Sequence, residues 1–200
     1  MIRRSFLKAL ALVGVTLASP MLAQEIDDNN VLVLEIAGEA NGTIEILMRP
    51  DIAPLHIAQI SALARDGAYN GVAFHRVIEG FMAQTGDVQF GKVEGYQGRM
   101  AGRGGSDLAD IPAEFSDLHF GPGIVGMARS NNPNSANSQF FIMFTDYASL
   151  NGKYTVIGRV IEGMDVVNAI KRGSQSNNGA VADAPDYIER AWIKADGAPE

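Results

Sequence analysis

The sequence predicts a mainly β protein: an antiparallel barrel, closed or nearly closed, with two helices outside it or over its ends. Three observations lead to this fold class. Eight short runs are rich in β-branched, aliphatic and aromatic residues, only two segments have a helical pattern, and runs and helices do not alternate. A chain of 200 residues, 46% of them hydrophobic, can form one well-covered core, so we expect one folded domain.

The first two strands are expected to form an antiparallel pair. The runs VLVLEI, residues 31–36, and TIEILM, residues 43–48, lie on either side of Asn41-Gly42. Both residues of this dipeptide tolerate positive φ, which makes it a strong signal for a tight turn. Asn41, Gly42 and Thr43 also match a glycosylation sequon, but the turn explains them better.

The first helix is predicted over residues 52–65. Apolar residues recur on one face of this segment, Pro54 lies near its start and Gly67 follows its end. Proline is well tolerated in the first turn of a helix, and glycine is common just beyond the last turn.

The remaining strands and the second helix are separated by glycine-rich turns. The second helix is short and is predicted over residues 164–171. The glycine-rich stretch 91–110 indicates a long loop, and loops of that length are often functional. The remaining strand-like runs are residues 72–78, 81–84, 124–128, 139–144, 154–160 and 187–195.

The N-terminal segment, residues 1–23, is interpreted as an export signal that is separate from the fold. Three positive residues precede an apolar stretch, residues 9–18, that is too short to span a bilayer. Cleavage after the small residue Ala23 would leave residues 24–200 as a single domain.

The sequence RRSFLK, residues 3–8, resembles a twin-arginine signal. An ordinary secretory signal that contains two arginines is the alternative, since Ile2 stands where the twin-arginine motif usually has Ser or Thr. Either route predicts a periplasmic protein without stable membrane insertion once the signal is removed.

Composition argues against several classes of function. Lys and Arg number 16 against 23 Asp and Glu, so a nucleic-acid partner held through its phosphates is not expected. The chain has no cysteine and its three histidines lack a metal-ligand spacing, so we expect neither a metal nor another cofactor. The net charge of -7 favours a soluble monomer.

A further set of residues has the types that a peptide groove needs. One cation, two amides and several apolar side chains suit an extended peptide with an apolar residue docked in a pocket. Core packing is the alternative, because aromatic and methionine side chains at strand spacing usually belong to a core. The residues concerned are Arg76, Phe81, Met82, Gln84, Gln139, Phe141, Leu150 and Tyr154.

Three sequence segments closely resemble the cyclophilin-type peptidyl-prolyl isomerases. They are FHRVIEGFMAQTGD at 74–87, GMARSNNPNSANSQFFI at 126–142 and LNGKYTVIGRVIEGMDVV at 150–167, within a similarity that extends from residue 31 to 194. The resemblance implies a closed eight-stranded antiparallel β-barrel capped by two α-helices. It also implies cis-trans isomerisation of X-Pro bonds in proline-containing polypeptides, here during the folding of exported proteins, as in a folding chaperone.

The resemblance assigns roles position by position. Arg76 and Gln84 are implied as catalytic residues: Arg76 would stabilise the twisted amide without covalent chemistry, and Gln84 would orient Arg76 and the peptide. Ala128 and Arg129 would contact the residue before proline through their backbones. The residues implied in substrate binding are Phe81, Met82, Ala128, Arg129, Gln139, Phe141, Leu150 and Tyr154.

Three positions depart from the family pattern. Arg129 replaces a common asparagine, and Tyr154 stands where many eukaryotic members have histidine, a change that bacterial members often show. Ser149 stands where the family usually has Trp or Phe, so we expect only weak inhibition by cyclosporin.

Two other functions are compatible with the same residues. A non-enzymatic peptide-binding module, acting as a chaperone, would use the same groove without accelerating isomerisation. A small-molecule carrier would hold its ligand inside the barrel, but Phe140, Ile142 and Val156 are bulky and are expected to fill the interior.

Overall fold

The computed structural model describes residues 26–199. The predicted export signal, residues 1–23, lies outside the described residues. The described part of the chain contains nine β-strands, two α-helices and four short 3-10 helices. The strands are β1 Val31–Ala37, β2 Gly42–Met48, β3 Val72–Ala73, β4 Arg76–Ile78, β5 Met82–Thr85, β6 Ile124–Met127, β7 Phe140–Met143, β8 Val156–Glu162 and β9 Tyr187–Ile193; the helices are α1 Pro54–Arg65 and α2 Met164–Ala169.

All nine strands belong to one antiparallel sheet with the order β3-β9-β1-β2-β8-β6-β7-β5-β4. The mainly β class with two helices is confirmed, but the closed eight-stranded barrel is wrong, because the sheet is an open half-barrel. The predicted strand 72–78 divides at Phe74 and His75 into two strands with different partners. Its first part pairs with β9 and its second part with β5, so the two parts become opposite edges of the sheet.

The opening hairpin and the first helix agree with the sequence patterns. β1 and β2 pair antiparallel, with Val31 opposite Leu47 and Ile36 opposite Gly42. Helix α1 begins at Pro54 rather than at residue 52, and Gly67 follows its end with a φ of 66°. Glycine adopts this left-handed conformation without a steric penalty, which is why it commonly follows a helix.

A distant carboxylate caps the first turn of α1. Ala53, the residue before the helix, makes no capping bond with its side chain. Instead Glu114 accepts hydrogen bonds from the backbone N–H groups of Leu55 and His56 at 3.2 and 3.1 Å, and its carboxylate lies 2.6 Å from His56 Nδ1. An anion at this position satisfies free N–H groups and complements the positive end of the helix dipole.

The side chains of β7 point alternately to the core and to the outer face of the sheet. Phe140 and Ile142 are fully buried in the main hydrophobic cluster, which fills the interior as expected. Phe141 and Met143 point to the other side, into a second apolar cluster. Val156 also belongs to this second cluster, so its predicted place in the interior is wrong.

Between residues 26 and 199, no helix has the length and apolar character needed to cross a membrane.

Candidate active site

One row of residues crosses four neighbouring strands on the outer face of the sheet. Arg76 of β4 lies opposite Gln84 of β5, and Gln84 lies opposite Phe141 of β7. Phe141 in turn lies opposite Gly126 of β6. Because directly opposed residues project from the same face, this row places a cation, an amide and an aromatic ring side by side.

Gly126 provides the space that the Phe141 ring occupies. A Cβ atom at residue 126 would lie 2.6 Å from Cζ of Phe141 and 2.7 Å from Cε1 of Phe120, closer than van der Waals contact permits. The two rings are stacked, with centroids 5.9 Å apart and an interplanar angle of 25°. Phe141 is therefore held in one position by its neighbours.

A pocket of about 180 Å³ opens beside this row. Buried apolar side chains form its walls, and Phe141 meets Tyr154 edge to face with ring centroids 5.9 Å apart. The residues that line it are Arg76, Phe81, Met82, Gln84, Ala128, Arg129, Phe141, Leu150 and Tyr154. The structure thus brings together every predicted site residue except Gln139, which lines the adjoining pocket.

Arg76 is fixed by three hydrogen bonds. Its Nε and Nη2 atoms each donate over 3.0 Å to Asn178, to the backbone carbonyl and to Oδ1 respectively. Its Nη1 atom donates to Oε1 of Gln84 over 3.1 Å. Partial burial lowers the pKa of the guanidinium, which still remains protonated at any physiological pH. These bonds use three of the five N–H donors of the group.

Gln84 and Gln139 extend the hydrogen-bond network beyond Arg76. Nε2 of Gln84 donates to Oε1 of Gln139 over 3.0 Å. The two amides therefore connect the pocket of about 180 Å³ to the adjoining one, which has a volume of about 310 Å³ and also contains Arg103.

Arg129 lines both pockets and contacts Tyr154, which lines only the smaller one. The guanidinium carbon of Arg129 lies 4.3 Å from the centroid of the Tyr154 ring, a cation-π contact. Nη2 of Arg129 also donates to the carbonyl of Lys153 over 2.7 Å. The N–H of Ala128 donates to the carbonyl of Gln139 over 2.9 Å, so any peptide contact at Ala128 uses another of its backbone groups.

Sequence reasoning missed Asn178 as a site residue. The Asn178-Gly179 dipeptide is a turn signal, and Asn178 has the left-handed φ of 51° that such turns require. Nothing in the pattern indicates that this turn reaches Arg76, which lies 102 residues earlier in the chain.

His75 is buried beside the site but does not enter the pocket. Only 4% of its surface is exposed, and neither ring nitrogen has a hydrogen-bond partner among residues 26–199. Burial lowers the pKa of His75 to about 4, so the ring is neutral at pH 7.

Within the described part of the chain, no group of three or more His, Cys, Asp or Glu side chains could hold a metal ion.

The architecture corresponds to a known class of fold. A crystal structure of a cyclophilin from Hirschia baltica superimposes with a TM-score of 0.70 at 28% sequence identity, covering 87% of this chain and 77% of that chain. A curved antiparallel sheet with an apolar, arginine-lined pocket on its outer face therefore defines a protein of the cyclophilin class.

Sequence comparison identifies the family and its activity. Residues 31–192 match the family described as cyclophilin type peptidyl-prolyl cis-trans isomerase/CLD. A probable peptidyl-prolyl cis-trans isomerase of Brucella suis is 54% identical over 96% of this chain and 97% of its own length. A peptidyl-prolyl cis-trans isomerase of Acinetobacter baylyi is 37% identical over 72% of this chain and 74% of its own. The chain belongs to the cyclophilin-type isomerase family and is a peptidyl-prolyl cis-trans isomerase.

Proposed function

We propose that this enzyme accelerates rotation about X-Pro bonds in exported polypeptides and that Arg76 stabilises the twisted amide non-covalently. The position of Arg76 carries the proposal: its guanidinium is half-buried, held from two sides and placed on the wall of an apolar pocket.

The reaction needs no covalent step. Rotation about a peptide bond faces a barrier of ~18–20 kcal/mol because amide resonance is lost. In the twisted amide the prolyl nitrogen becomes pyramidal and gains a lone pair. A hydrogen bond from a fixed guanidinium to this lone pair is stronger in the twisted state than in either planar isomer, and such differential binding lowers the barrier.

The pocket supplies the second requirement, which is a fixed proline ring. Its volume of about 180 Å³ and its apolar walls suit a five-membered ring. With three of its N–H donors already bonded, Arg76 retains two that can reach a substrate. The pocket holds the proline ring while the preceding carbonyl rotates, so binding of the peptide contributes to catalysis.

The other pocket residues position the peptide. Gln84 and Gln139 orient Arg76 and the chain, and Ala128 and Arg129 contact the residue before proline through their backbones, with the Tyr154 ring beside Arg129. The apolar residues that hold the ring are Phe81, Met82, Phe141 and Leu150.

Mutation of Arg76 tests the mechanism directly. We expect Arg76→Ala to lower kcat/KM for an Ala-Pro peptide about 100-fold or more, because the fixed donor is lost. Arg76→Lys should also be impaired, since a single ammonium does not reproduce the planar guanidinium held by Asn178 and Gln84. The exposed Arg159, on β8, provides a matched control whose replacement by alanine should leave the rate unchanged.

The outcome separates two mechanisms. Near-normal exchange rates in a folded Arg76→Ala protein would remove Arg76 from the mechanism. Loss of exchange with retained peptide binding, measured by titration, would assign Arg76 to the chemical step.

The cellular setting follows from residues 1–23. A positive, then apolar segment of this length supports export to the periplasm, where the enzyme would act as a monomer on newly translocated chains. Fusing residues 1–23 to a reporter and fractionating the cells tests export, and replacing Arg3 and Arg4 by Lys distinguishes the two routes. Retention of the reporter in the cytoplasm would contradict the proposal.

A further inference from the structure

Asp87 is a buried carboxylate without a cationic partner among the described ion pairs. Its side chain and backbone are fully inaccessible to solvent. Instead of a cation, four backbone N–H groups satisfy it: Oδ1 accepts from Gln89 and Phe90 at 3.1 and 2.8 Å. Oδ2 accepts from Gly102 and Gly104 at 2.7 and 3.0 Å. Such a set of converging N–H groups is a strong anion-binding arrangement.

The four donors come from two separate parts of the chain. Gln89 and Phe90 lie shortly after the end of β5 at Thr85, whereas Gly102 and Gly104 belong to the long loop 91–110. One carboxylate therefore fastens the distal part of this loop to the strand that carries Gln84. Only glycine fits at position 104 of the loop, because a Cβ there would lie 2.5 Å from Oδ1 of Asp87.

The fastened loop presents a carbonyl group to the active site. The Gly104 carbonyl accepts a hydrogen bond from Nε2 of Gln139 over 2.8 Å. Oε1 of Gln139 then accepts from Nε2 of Gln84, and Oε1 of Gln84 accepts from Arg76. An unbroken series of hydrogen bonds runs from Asp87 through the loop to the guanidinium.

The direction of each amide in this series is determined by its two ends. A carbonyl only accepts hydrogen bonds, so the Gly104 carbonyl requires the NH₂ group of Gln139 to face it. A guanidinium only donates, so Arg76 requires the oxygen of Gln84 to face it. Both requirements are met together by one arrangement of the two glutamines. If the Gly104 carbonyl moves away, Gln139 is released to turn, and Gln84 loses the partner that orients its oxygen.

We propose that Asp87 is a positioning residue for catalysis: by holding the loop through Gly102 and Gly104 it fixes both glutamine amides, and through them Arg76. This role rests on the proposed function of Arg76 in the reaction. Asp87 is about four hydrogen bonds from the guanidinium and does not line the substrate pocket.

Replacing Asp87 by Asn tests the role with little change of shape. The NH₂ group of asparagine cannot accept hydrogen bonds, so two of the four backbone N–H groups lose their partner. We expect kcat for an Ala-Pro peptide to fall about tenfold while its affinity changes less than twofold, because the walls of the pocket of about 180 Å³ are untouched and the alanine of this peptide carries no charge to meet Arg103 in the adjoining pocket.

Asp186 provides a matched control. It is also buried, with 1% of its surface exposed, and accepts N–H bonds from Ala40 at 3.0 Å and Lys171 at 2.7 Å. Its side chain has no hydrogen bond to either glutamine. Asp186→Asn should reduce stability comparably and leave kcat of the folded protein unchanged.

A double mutant distinguishes positioning from general damage. Gln139→Leu interrupts the series next to Gln84, and we expect it to lower kcat about tenfold by itself. Adding Asp87→Asn to that background should then change kcat less than twofold, since the path is already broken. A merely structural role for Asp87 would give the same loss in both backgrounds.

The outcomes of these experiments distinguish a failure of the proposed role of Arg76 from a failure of the proposed role of Asp87. Normal activity in Arg76→Ala would overturn the proposed mechanism itself. Loss of activity in Arg76→Ala together with a kcat for Asp87→Asn within twofold of Asp186→Asn would overturn only the role of Asp87. Should Asp87→Asn not fold by circular dichroism, Gln139→Leu decides alone, because a normal kcat there leaves Asp87 no route to Arg76.

Discussion

Asn178 accepts two hydrogen bonds from Arg76, one through its backbone carbonyl and one through Oδ1, both 3.0 Å long. The turn that carries Asn178 is held in place by backbone bonds to β4: the N–H of Val77 donates to the carbonyl of Gly179 over 2.8 Å. The residue is in the left-handed region, with a φ of 51°. An unfavourable backbone conformation is thus maintained where it orients the central guanidinium.

Asn178→Gly isolates the contribution of the side-chain oxygen. Glycine adopts the same backbone conformation more readily, and the carbonyl bond to Nε remains. We expect kcat to fall roughly fivefold, corresponding to about 1 kcal/mol for one hydrogen bond, in an exchange assay with an Ala-Pro peptide. Ala184 also has positive φ, 44°, so Ala184→Gly is the matched control and should leave kcat unchanged. An unaltered rate in Asn178→Gly would limit the role of Asn178 to its backbone.

The local elements of the fold could be predicted from the sequence. The hairpin β1-β2 and helix α1 follow from periodicity and from the turn signal at Asn41-Gly42, which are properties of neighbouring residues. That the sheet stays open rather than closing into a barrel could not be predicted in this way. It depends on the change of partners at Phe74 and His75, where the bonding of the chain passes from β9 to β5. Strand pairing joins residues that are distant in sequence, and the periodicity of apolar residues does not predict it.

The candidate site, like the fold, could be predicted from the sequence only in part. Residues within the three family-like segments, such as Arg76, Gln84 and Phe141, are predicted as site residues from the resemblance, and the structure places them together. The sequence indicates only a turn at Asn178, and nothing in it marks Asp87 as a functional residue. Each acts through a contact whose partner is distant in sequence or is a backbone group, and no residue pattern records such contacts.

The buried His75 predicts a loss of stability in acid. Burial lowers its pKa to about 4 in the folded protein, whereas the unfolded chain titrates near 6.5. Above about pH 6.5 both states are neutral and the residue has no effect. As the pH falls from about 6.5 to 4 the unfolded state binds the proton first, so the free energy of unfolding falls, by up to about 3 kcal/mol.

Urea unfolding at pH 7 and pH 4.5, compared between the wild type and His75→Leu, measures this effect. Leucine has a similar volume and does not titrate, so the variant should lose less stability on acidification. The charges of Asp87 and Arg76 shift the pKa of His75 in opposite directions, and both residues are present in the two proteins. Equal losses in both proteins would show that His75 is not the responsible group.

Ser149 predicts weak inhibition by cyclosporin. It is exposed on the short 3-10 helix Ala148–Leu150, next to a residue of the pocket wall, and offers no apolar surface to a large ligand. Ser149→Trp should tighten inhibition on the order of tenfold, from added apolar contact, whereas Ser149→Ala should change it little. Inhibition constants from the exchange assay check both, and nanomolar inhibition of the wild type would contradict the prediction.

The charges of the adjoining pocket predict a preference for acidic peptides. Arg103 and Arg129 line this pocket of about 310 Å³, and no acidic side chain of residues 26–199 does, although the chain as a whole has a net charge of -7. It shares Gln84, Ala128 and Arg129 with the pocket of about 180 Å³ where we propose that the proline binds, so we expect it to receive a side chain that precedes the proline. A glutamate there should give a higher kcat/KM than a lysine, by roughly three- to tenfold at low salt.

Arg103→Gln tests this preference without disturbing the contact of Arg129 with Tyr154. We expect the ratio of kcat/KM for glutamate and lysine peptides to fall toward one, mainly through KM, because the charge contributes equally to ground-state and transition-state binding. Added salt should reduce the wild-type ratio in the same direction. Arg159→Gln changes the net charge equally but lies on β8 outside both pockets, so its ratio should match the wild type. If the two variants reduce the ratio equally, the preference comes from the overall charge and not from this pocket.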